Sequence, residues 1–400
     1  MRSLASGLAI AALGAGCGAG PAAGDAAPSV DAAGPEHALG MSDISILLPL
    51  PTDATVPVLT TLAGSGAPLV NEAMFASLVL TGNDIAPKNN LPFGFADMQV
   101  VGIRFDLCDR STVGACPAGS DGRLRLVLQP MYTQHGTVFA HDIAIHCFYA
   151  IPAAELGGTV SELRALAALQ DAPVDAPLAV SPAVSAGNTM YVDRLRRLVL
   201  TYARADNLRR MTVIGQEENS GAVAWIFRGF DKPATTNPYD YTSMLVPQVN
   251  GTQQTVLTAG GDVTYVTNPL ADLPSGLSLA LNGSSYDLGT LAAQTAALTA
   301  LEEVQNPELH DAVDLQCAAC HVSTYLTRLR SDHLGIDPTT LPTAYRSTHD
   351  TTVDNVLTAT DPRVIRAFGW VTTSPAISQR VANDTAHTLT ELDARFPARP

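Results

Sequence analysis

The residues with the clearest chemical potential are Cys317, Cys320 and His321, which form the pattern C-x-x-C-H. Two thiols three positions apart can each form a thioether bond with one of the two vinyl groups on a porphyrin edge. The imidazole directly after the second thiol can then bind the iron as an axial ligand. The spacing therefore predicts covalent haem attachment, with His321 as the proximal iron ligand.

Two other kinds of site use closely spaced cysteines. A dithiol redox site opens a helix directly after a strand, whereas residues 292–304 upstream are rich in alanine and leucine and predict a helix. A zinc site needs a fourth ligand, usually from a second cysteine pair, and the chain has no other C-x-x-C. Zinc, a disulfide and a chance occurrence stand as the alternatives to haem.

The stretch from Cys317 to His321 resembles the haem-attachment site of c-type cytochromes. The resemblance covers this motif and the helices around it, about the last quarter of the chain. It implies one covalently bound haem c in a small helical domain. It also implies an exported protein, because haem is joined to members of this family outside the cytoplasm.

The sixth iron ligand is harder to assign. Many single-haem members of the family use a methionine after the C-x-x-C-H, yet no methionine follows His321. Among the downstream histidines, we expect His349 to be the distal ligand, because its polar loop, residues 347–352, has reach and freedom. An open iron is the alternative. Upstream methionines that could serve if the middle of the chain packs on the haem are Met190, Met211 and Met244.

The start of the chain predicts export. A single early charge, Arg2, precedes a short apolar run, residues 4–16, that ends at Cys17, as in a secretory signal. The run resembles a bacterial lipoprotein signal, which implies acylation of Cys17, although Gly14 stands where that family prefers a large aliphatic residue. Ordinary export is the alternative. We expect a protein of the bacterial cell envelope, held by lipid at a membrane such as the outer membrane and facing the periplasm or the cell surface.

The size and charge of the chain restrict which other functions and partners it could have. The chain has 400 residues, 46% of them hydrophobic, and a formal net charge of −15. This length and apolar content suffice for one large domain or two. An acidic chain argues against nucleic acid as a partner, because phosphate binding needs clustered cations. A redox protein is the expected partner, although acidity also serves solubility.

Six short apolar runs in the middle of the chain predict strands. They are residues 98–107, 123–129, 141–151, 210–214, 222–227 and 263–266. Alternation of Arg123 and Arg125 with leucines indicates a strand with one face in water. The run at 143–151 is almost wholly apolar, which predicts a central strand buried on both faces. His141 and His146 should point to opposite faces, so with His135 they are expected to be structural histidines.

Helices and a disulfide complete the expected architecture. Thr159 and Glu162 form a capping box that predicts a helix start, and Ser374 before Pro375 predicts another. An amphipathic helix is predicted by the stripe of Tyr191, Leu195, Leu198, Val199 and Tyr202. In an oxidising compartment Cys108 and Cys116 would pair, which leaves Cys147 as a buried thiol unless the pairing differs.

The expected fold class is α+β. After a signal (residues 1–17) and a linker rich in Gly, Ala, Pro and Asp (18–43), we predict a mostly antiparallel, sandwich-like β-rich domain with a few helices (44–287). A small α-helical, cytochrome c-like domain (288–400) follows. The expected function is electron transfer rather than catalysis. The alternatives are a haem enzyme or small-ligand sensor with an open iron, and a surface binding lipoprotein in which haem is secondary.

Overall fold

Apolar strands build one antiparallel sheet, and this sheet organises the chain. The computed structural model describes residues 36–51, 69–70, 97–108, 116–117, 119–170, 172–219, 222–232, 242–243, 251–267, 274–310, 315–353 and 365–398. Residues 1–35, which include Cys17 and the first part of the linker, and Met244 therefore lie outside the described residues. Residues Glu36–Pro400 form one compact unit.

The predicted runs correspond to strands. The strands are β1 (Ser45–Leu47), β2 (Met98–Asp106), β3 (Gly122–Gln134), β4 (Thr137–Ala140), β5 (Ala144–Ile151), β6 (Leu208–Asn219), β7 (Ala222–Asp231), β8 (Thr242–Ser243), β9 (Gln253–Ala259), β10 (Asp262–Val266), β11 (Phe368–Val371) and β12 (Ser374–Ile377). Of these, β3, β6 and β7 extend four or five residues beyond the predicted ends. All six predicted strands are confirmed. The strands without a prediction are β1, β4, β8, β9, β11 and β12.

The described strands form a ten-stranded sheet and a separate two-stranded ribbon. In the sheet the order is β1-β2-β3-β5-β6-β7-β9-β10, with β4 paired to β3 and β8 to β7, and every pairing is antiparallel. The predicted antiparallel α+β fold is confirmed at this level. The two facing sheets of a sandwich are replaced by one sheet whose faces are covered by helices.

The helices are α1 (Met41–Ile44), α2 (Leu156–Ala167), α3 (Pro182–Ser185), α4 (Thr189–Tyr202), α5 (Leu277–Ala280), α6 (Gly283–Asp287), α7 (Leu291–Gln305), α8 (Cys317–Leu334) and α9 (Gln379–Arg395). Short 3₁₀ turns lie at Ala153–Glu155 and Pro338–Thr340. The predicted stripe of α4 is buried along its whole length. Among the described residues no helix has both the length and the apolar character needed to cross a bilayer.

Two predicted helix starts are wrong. Helix α2 begins at Leu156, before the predicted capping box, and the Thr159 hydroxyl instead donates to the Glu155 carbonyl inside the helix. Ser374 and Pro375 lie in β12, where they pair with β11. The helix that follows begins at Gln379, with Ser378 as its cap. The Thr159 hydroxyl also lies 2.9 Å from the Tyr202 hydroxyl of α4, and pairing with β11 keeps Ser374 and Pro375 extended.

The sheet has two differently covered faces. Arg125, Phe148 and Arg210 are direct cross-strand partners on β3, β5 and β6, so they share one face; we call it the front face. Helices α8 and α9 and the β11–β12 ribbon contact this face. On the opposite, back face, Leu156 of α2 lies against Gly122 of β3.

Strand β5 occupies the centre of this arrangement. It pairs with β3 on one side and with β6 on the other. Ile145, Cys147 and Tyr149 point to the back face and are at most 3% exposed. The back face of β5 is therefore buried as predicted, whereas His146 and Ala150 on the front face are half-buried. Cys147 is a buried thiol as expected.

A disulfide joins Cys108 to Cys116 across eight positions of sequence. The bridge closes the connection between β2 and β3, so it restrains the unfolded chain and favours the hairpin. The predicted pairing is confirmed. Cys317 and Cys320, in contrast, keep separate thiols in the same chain.

Candidate functional site

The C-x-x-C-H lies at the start of α8, with Cys317 as the first helical residue. Residues three and four positions apart in an α-helix lie on the same side. Cys317, Cys320 and His321 therefore project from one side of the first turns of α8. All three line a cavity between this helix and the front face of the sheet.

A glutamine from the sheet anchors the start of α8. Gln316, the N-cap residue, makes no side-chain cap of its own. Instead the Gln254 Oε1 atom on β9 accepts the Ala318 N–H at 2.9 Å. Gln254 Nε2 donates to Gln316 Oε1 at 2.6 Å. Because unsatisfied helix N–H groups are costly when buried, this bond fixes the motif over β9, where sequence analysis expected no strand.

The orientation of His321 is also fixed. His321 Nδ1 lies 2.7 Å from the Ile365 carbonyl oxygen. A carbonyl can only accept, so Nδ1 carries the proton and Nε2 carries the lone pair. The His321 ring also packs on Phe227 of β7, with ring centroids 4.9 Å apart. This is how proteins orient a histidine for metal binding: the second nitrogen donates to a carbonyl and sets the tautomer.

The cavity and its opening to solvent together enclose about 1030 Å³ that no protein atom occupies. Aromatic and aliphatic side chains form much of its wall. They are Phe148, Phe227, Val213, Ile214, Leu315, Ala367 and Val381. A flat apolar ligand could lie between α8 and the sheet with one of its edges exposed at the opening of the cavity.

Charged side chains in the cavity wall are mostly cationic. They are Arg123, Arg125, Arg210, Arg228, Arg380 and Asp384. Such a cluster contrasts with the net charge of −15 for the chain. Burial, followed by repulsion from Arg125, lowers the pKa of Arg123 to about 9. The buried Nε of Arg125 has no hydrogen-bond partner among the described residues. Such a wall favours a ligand that carries carboxylates.

The predicted wet face at Arg123 and Arg125 is thus the cavity wall. Both guanidinium groups stack on the Phe148 ring, 5.2 and 4.9 Å from its centroid. Arg125 also pairs with Asp106 at 3.1 Å, and Asp106 pairs with Arg104 at 2.7 Å. The alternation is correct, but the polar face meets a cavity rather than bulk water.

Protonation states restrict the chemistry of the motif. Burial, with a smaller contribution from Cys320, raises the pKa of the Cys317 thiol to about 12. A dithiol redox site requires the opposite, a stabilised thiolate. Burial lowers the pKa of His321 to about 4, so the imidazole is neutral at neutral pH and its lone pair is available.

A zinc site finds no support in this geometry. Within the described ranges, no three His, Cys, Asp or Glu side chains are arranged to hold a metal ion. Structural zinc requires four such ligands. A haem iron, in contrast, takes four nitrogens from the porphyrin and needs only axial ligands from the protein.

The histidine expected as distal ligand lies elsewhere. His349 is partly buried in the loop before residue 354, where its N–H donates to Ser347 Oγ, and it does not line the cavity. Of the other sixth-ligand candidates, Met190 is 67% exposed and Met211 is paired with Cys147, which points to the back face. No methionine lines the cavity in the described part of the chain.

Sequence analysis did not identify His146 as a site residue, although this histidine lines the cavity with His321. It shares its side of β5 with Phe148, and the sequence analysis had placed it on the face opposite His141. His135 lies at the exposed β3–β4 turn, and His141 packs on Tyr132, with ring centroids 4.4 Å apart. The useful signal was the shared face of His146 and Phe148, opposite the apolar Ile145 and Cys147.

Comparisons with known proteins add no family. No protein-family model matches the chain, and neither the curated proteins nor the solved structures include a detectable match.

Proposed function

We propose that this protein binds one haem c covalently through Cys317 and Cys320, with His321 as the proximal iron ligand, and transfers electrons outside the cytoplasm. The observation that carries the proposal is that both thiols and the oriented imidazole line one cavity with apolar walls and a surplus of arginines. The haem supplies a one-electron couple when bound. The protein supplies attachment, an oriented ligand and a cavity whose wall is apolar in part and cationic in part.

The residues present fit the chemistry of haem. Phe148 and Phe227 offer aromatic surfaces for the porphyrin, and the arginines offer partners for its two propionates. The opening of the cavity would leave one haem edge near solvent, where a redox protein could approach. A helical, cytochrome c-like segment at residues 288–400 is part of this proposal, with α7, α8 and α9 as its helices.

The test is production of the whole chain in a bacterial host that matures c-type cytochromes. After denaturing electrophoresis, a haem-peroxidase stain should mark the protein band, and the haemochrome spectrum should give one haem per chain. The same chain made without the maturation system should show no stained band. A matured protein that loses all its haem on denaturation would contradict the proposal.

We also propose that the protein is exported and held at the bacterial cell envelope by lipid on Cys17. The support is the sequence alone: an early arginine, a short apolar run and a cysteine at its end. Cys17→Ser should move the protein from the membrane fraction to the soluble periplasmic fraction. Equal membrane association of Cys17→Ser and the unchanged chain would contradict lipidation, and Cys147→Ser is the matched control.

A further inference from the structure

His146 lies opposite the C-x-x-C-H in the same cavity. It belongs to β5, in register with Val127 of β3 and Thr212 of β6. A central strand paired on both sides is a rigid support for a metal ligand. His321 enters the cavity from α8, and His146 enters it from the sheet.

The two imidazoles are close enough to belong to one site. The His321 ring packs on Phe227, and Phe227 is aligned through Ile214 with Ala144 of β5. His146 is two residues along β5 from Ala144. Strand spacing then puts the Cα atoms of Phe227 and His146 about 12 Å apart, with the cavity above them.

His146 is half-buried at the cavity wall, and none of the described residues is a hydrogen-bond partner of its ring nitrogens. Its contacts are a ring contact with Phe148, at 6.5 Å between centroids, and the cavity itself. This imidazole is therefore available to a ligand in the cavity.

We infer that His146 is the sixth ligand of the iron, which makes the haem bis-histidine, with one ligand from a helix and the other from a β-strand. The inference rests on the proposed function. It replaces His349, which does not line the cavity, and it removes the need for a methionine after His321. Electron transfer follows as the role, because an iron with two protein ligands has no open position for a substrate.

The test compares His146→Ala with the control His349→Ala in matured whole protein. Covalent haem content is measured first by the haemochrome spectrum, which should be equal in all variants. The unchanged protein and His349→Ala should be low-spin when ferric and should not bind carbon monoxide when reduced. His146→Ala should be high-spin, should bind carbon monoxide, and should return to low-spin on addition of imidazole.

Several outcomes would overturn the inference while leaving the proposed function intact: covalent haem with a high-spin unchanged protein, or a low-spin His146→Ala. Absence of covalent haem would instead refute the proposed function. If His146→Ala gives little folded protein, His146→Met decides the question. A methionine ligand should keep the iron low-spin and raise the reduction potential, and an unchanged potential would overturn the assignment.

Discussion

Changing both Cys317 and Cys320 to alanine is expected to abolish covalent haem attachment, so that the haem-peroxidase stain disappears from the denatured protein band. Both thiols lie on the same side of α8 and line the same cavity, and they are the only ones there among the described residues. Each single substitution leaves one thiol for one vinyl group. We therefore expect stained bands from both single variants and none from the double variant.

Cys147→Ala is the matched control for this experiment. Its thiol is likewise free, but it is fully buried and points to the back face of the sheet, away from the cavity. Haem content per chain should stay at the level of the unchanged protein. An unchanged stain in the double variant, or loss of the stain in Cys147→Ala with the protein folded, would contradict the assignment.

Asp106→Ala is expected to have the largest effect on stability, about 3–5 kcal/mol, because it breaks a buried ion-pair network. Asp106 accepts from Arg104 at 2.7 Å and from Arg125 at 3.1 Å, and all three side chains are less than a fifth exposed. Without Asp106, Arg104 keeps only a longer contact with Asp384 of α9, at 3.4 Å. Urea unfolding monitored by circular dichroism measures the loss.

The matched control is Asp206→Ala. Asp206 also pairs with an arginine, Arg204, at 3.5 Å, but these side chains are 74% and 59% exposed. Exposed pairs contribute at most about 1 kcal/mol. Equal losses of unfolding free energy in Asp106→Ala and Asp206→Ala would show that the buried ion pairs of Asp106 do not stabilise the fold.

The same network predicts acid sensitivity. Burial opposes ionisation of Asp106, but the guanidinium groups of Arg104 and Arg125 outweigh it and lower its pKa from 3.8 to about 2. A lowered carboxyl pKa stabilises the fold above the unfolded value, and this stabilisation is lost as pH falls from about 4 to about 2. The loss amounts to about 2 kcal/mol. In Asp106→Asn, the free energy of unfolding should change less with pH in this range. An unchanged pH dependence would contradict the assignment of the acid sensitivity to Asp106.

The propionates of the proposed haem and the carboxylate of Asp106 would interact with the same guanidinium groups. Three of the five arginines in the cavity wall already pair with carboxylates: Arg125 with Asp106, Arg210 with Asp231 and Arg380 with Asp384. Among the described residues, Asp384 is the one carboxylate that itself lines the cavity. A ligand with two carboxylates would relieve the mutual repulsion of the arginines. The ion pairs that bind α9 to β2 are therefore also part of the proposed haem environment.

Local sequence patterns predicted much of the secondary structure of this chain and its disulfide. Six strands, the buried stripe of α4 and the disulfide of Cys108 with Cys116 follow from apolar runs, helical spacing and cysteine separation. Each depends on residues close in sequence. The position of Cys317, Cys320 and His321 on one side of α8 could also be predicted locally, because three- and four-residue spacing in a helix is sufficient to align them.

Long-range contacts decided the rest. Alternation showed that His146 and Phe148 share a side of β5, but only the pairing of β3, β5 and β6 and the position of α8 brought that side to the C-x-x-C-H. The β11–β12 ribbon likewise depends on Gln129, whose side chain accepts the Trp370 N–H at 2.7 Å and donates to its carbonyl at 2.9 Å. Which helix covers which face is set by the free energy of the whole packed core, to which residues far apart in sequence contribute together.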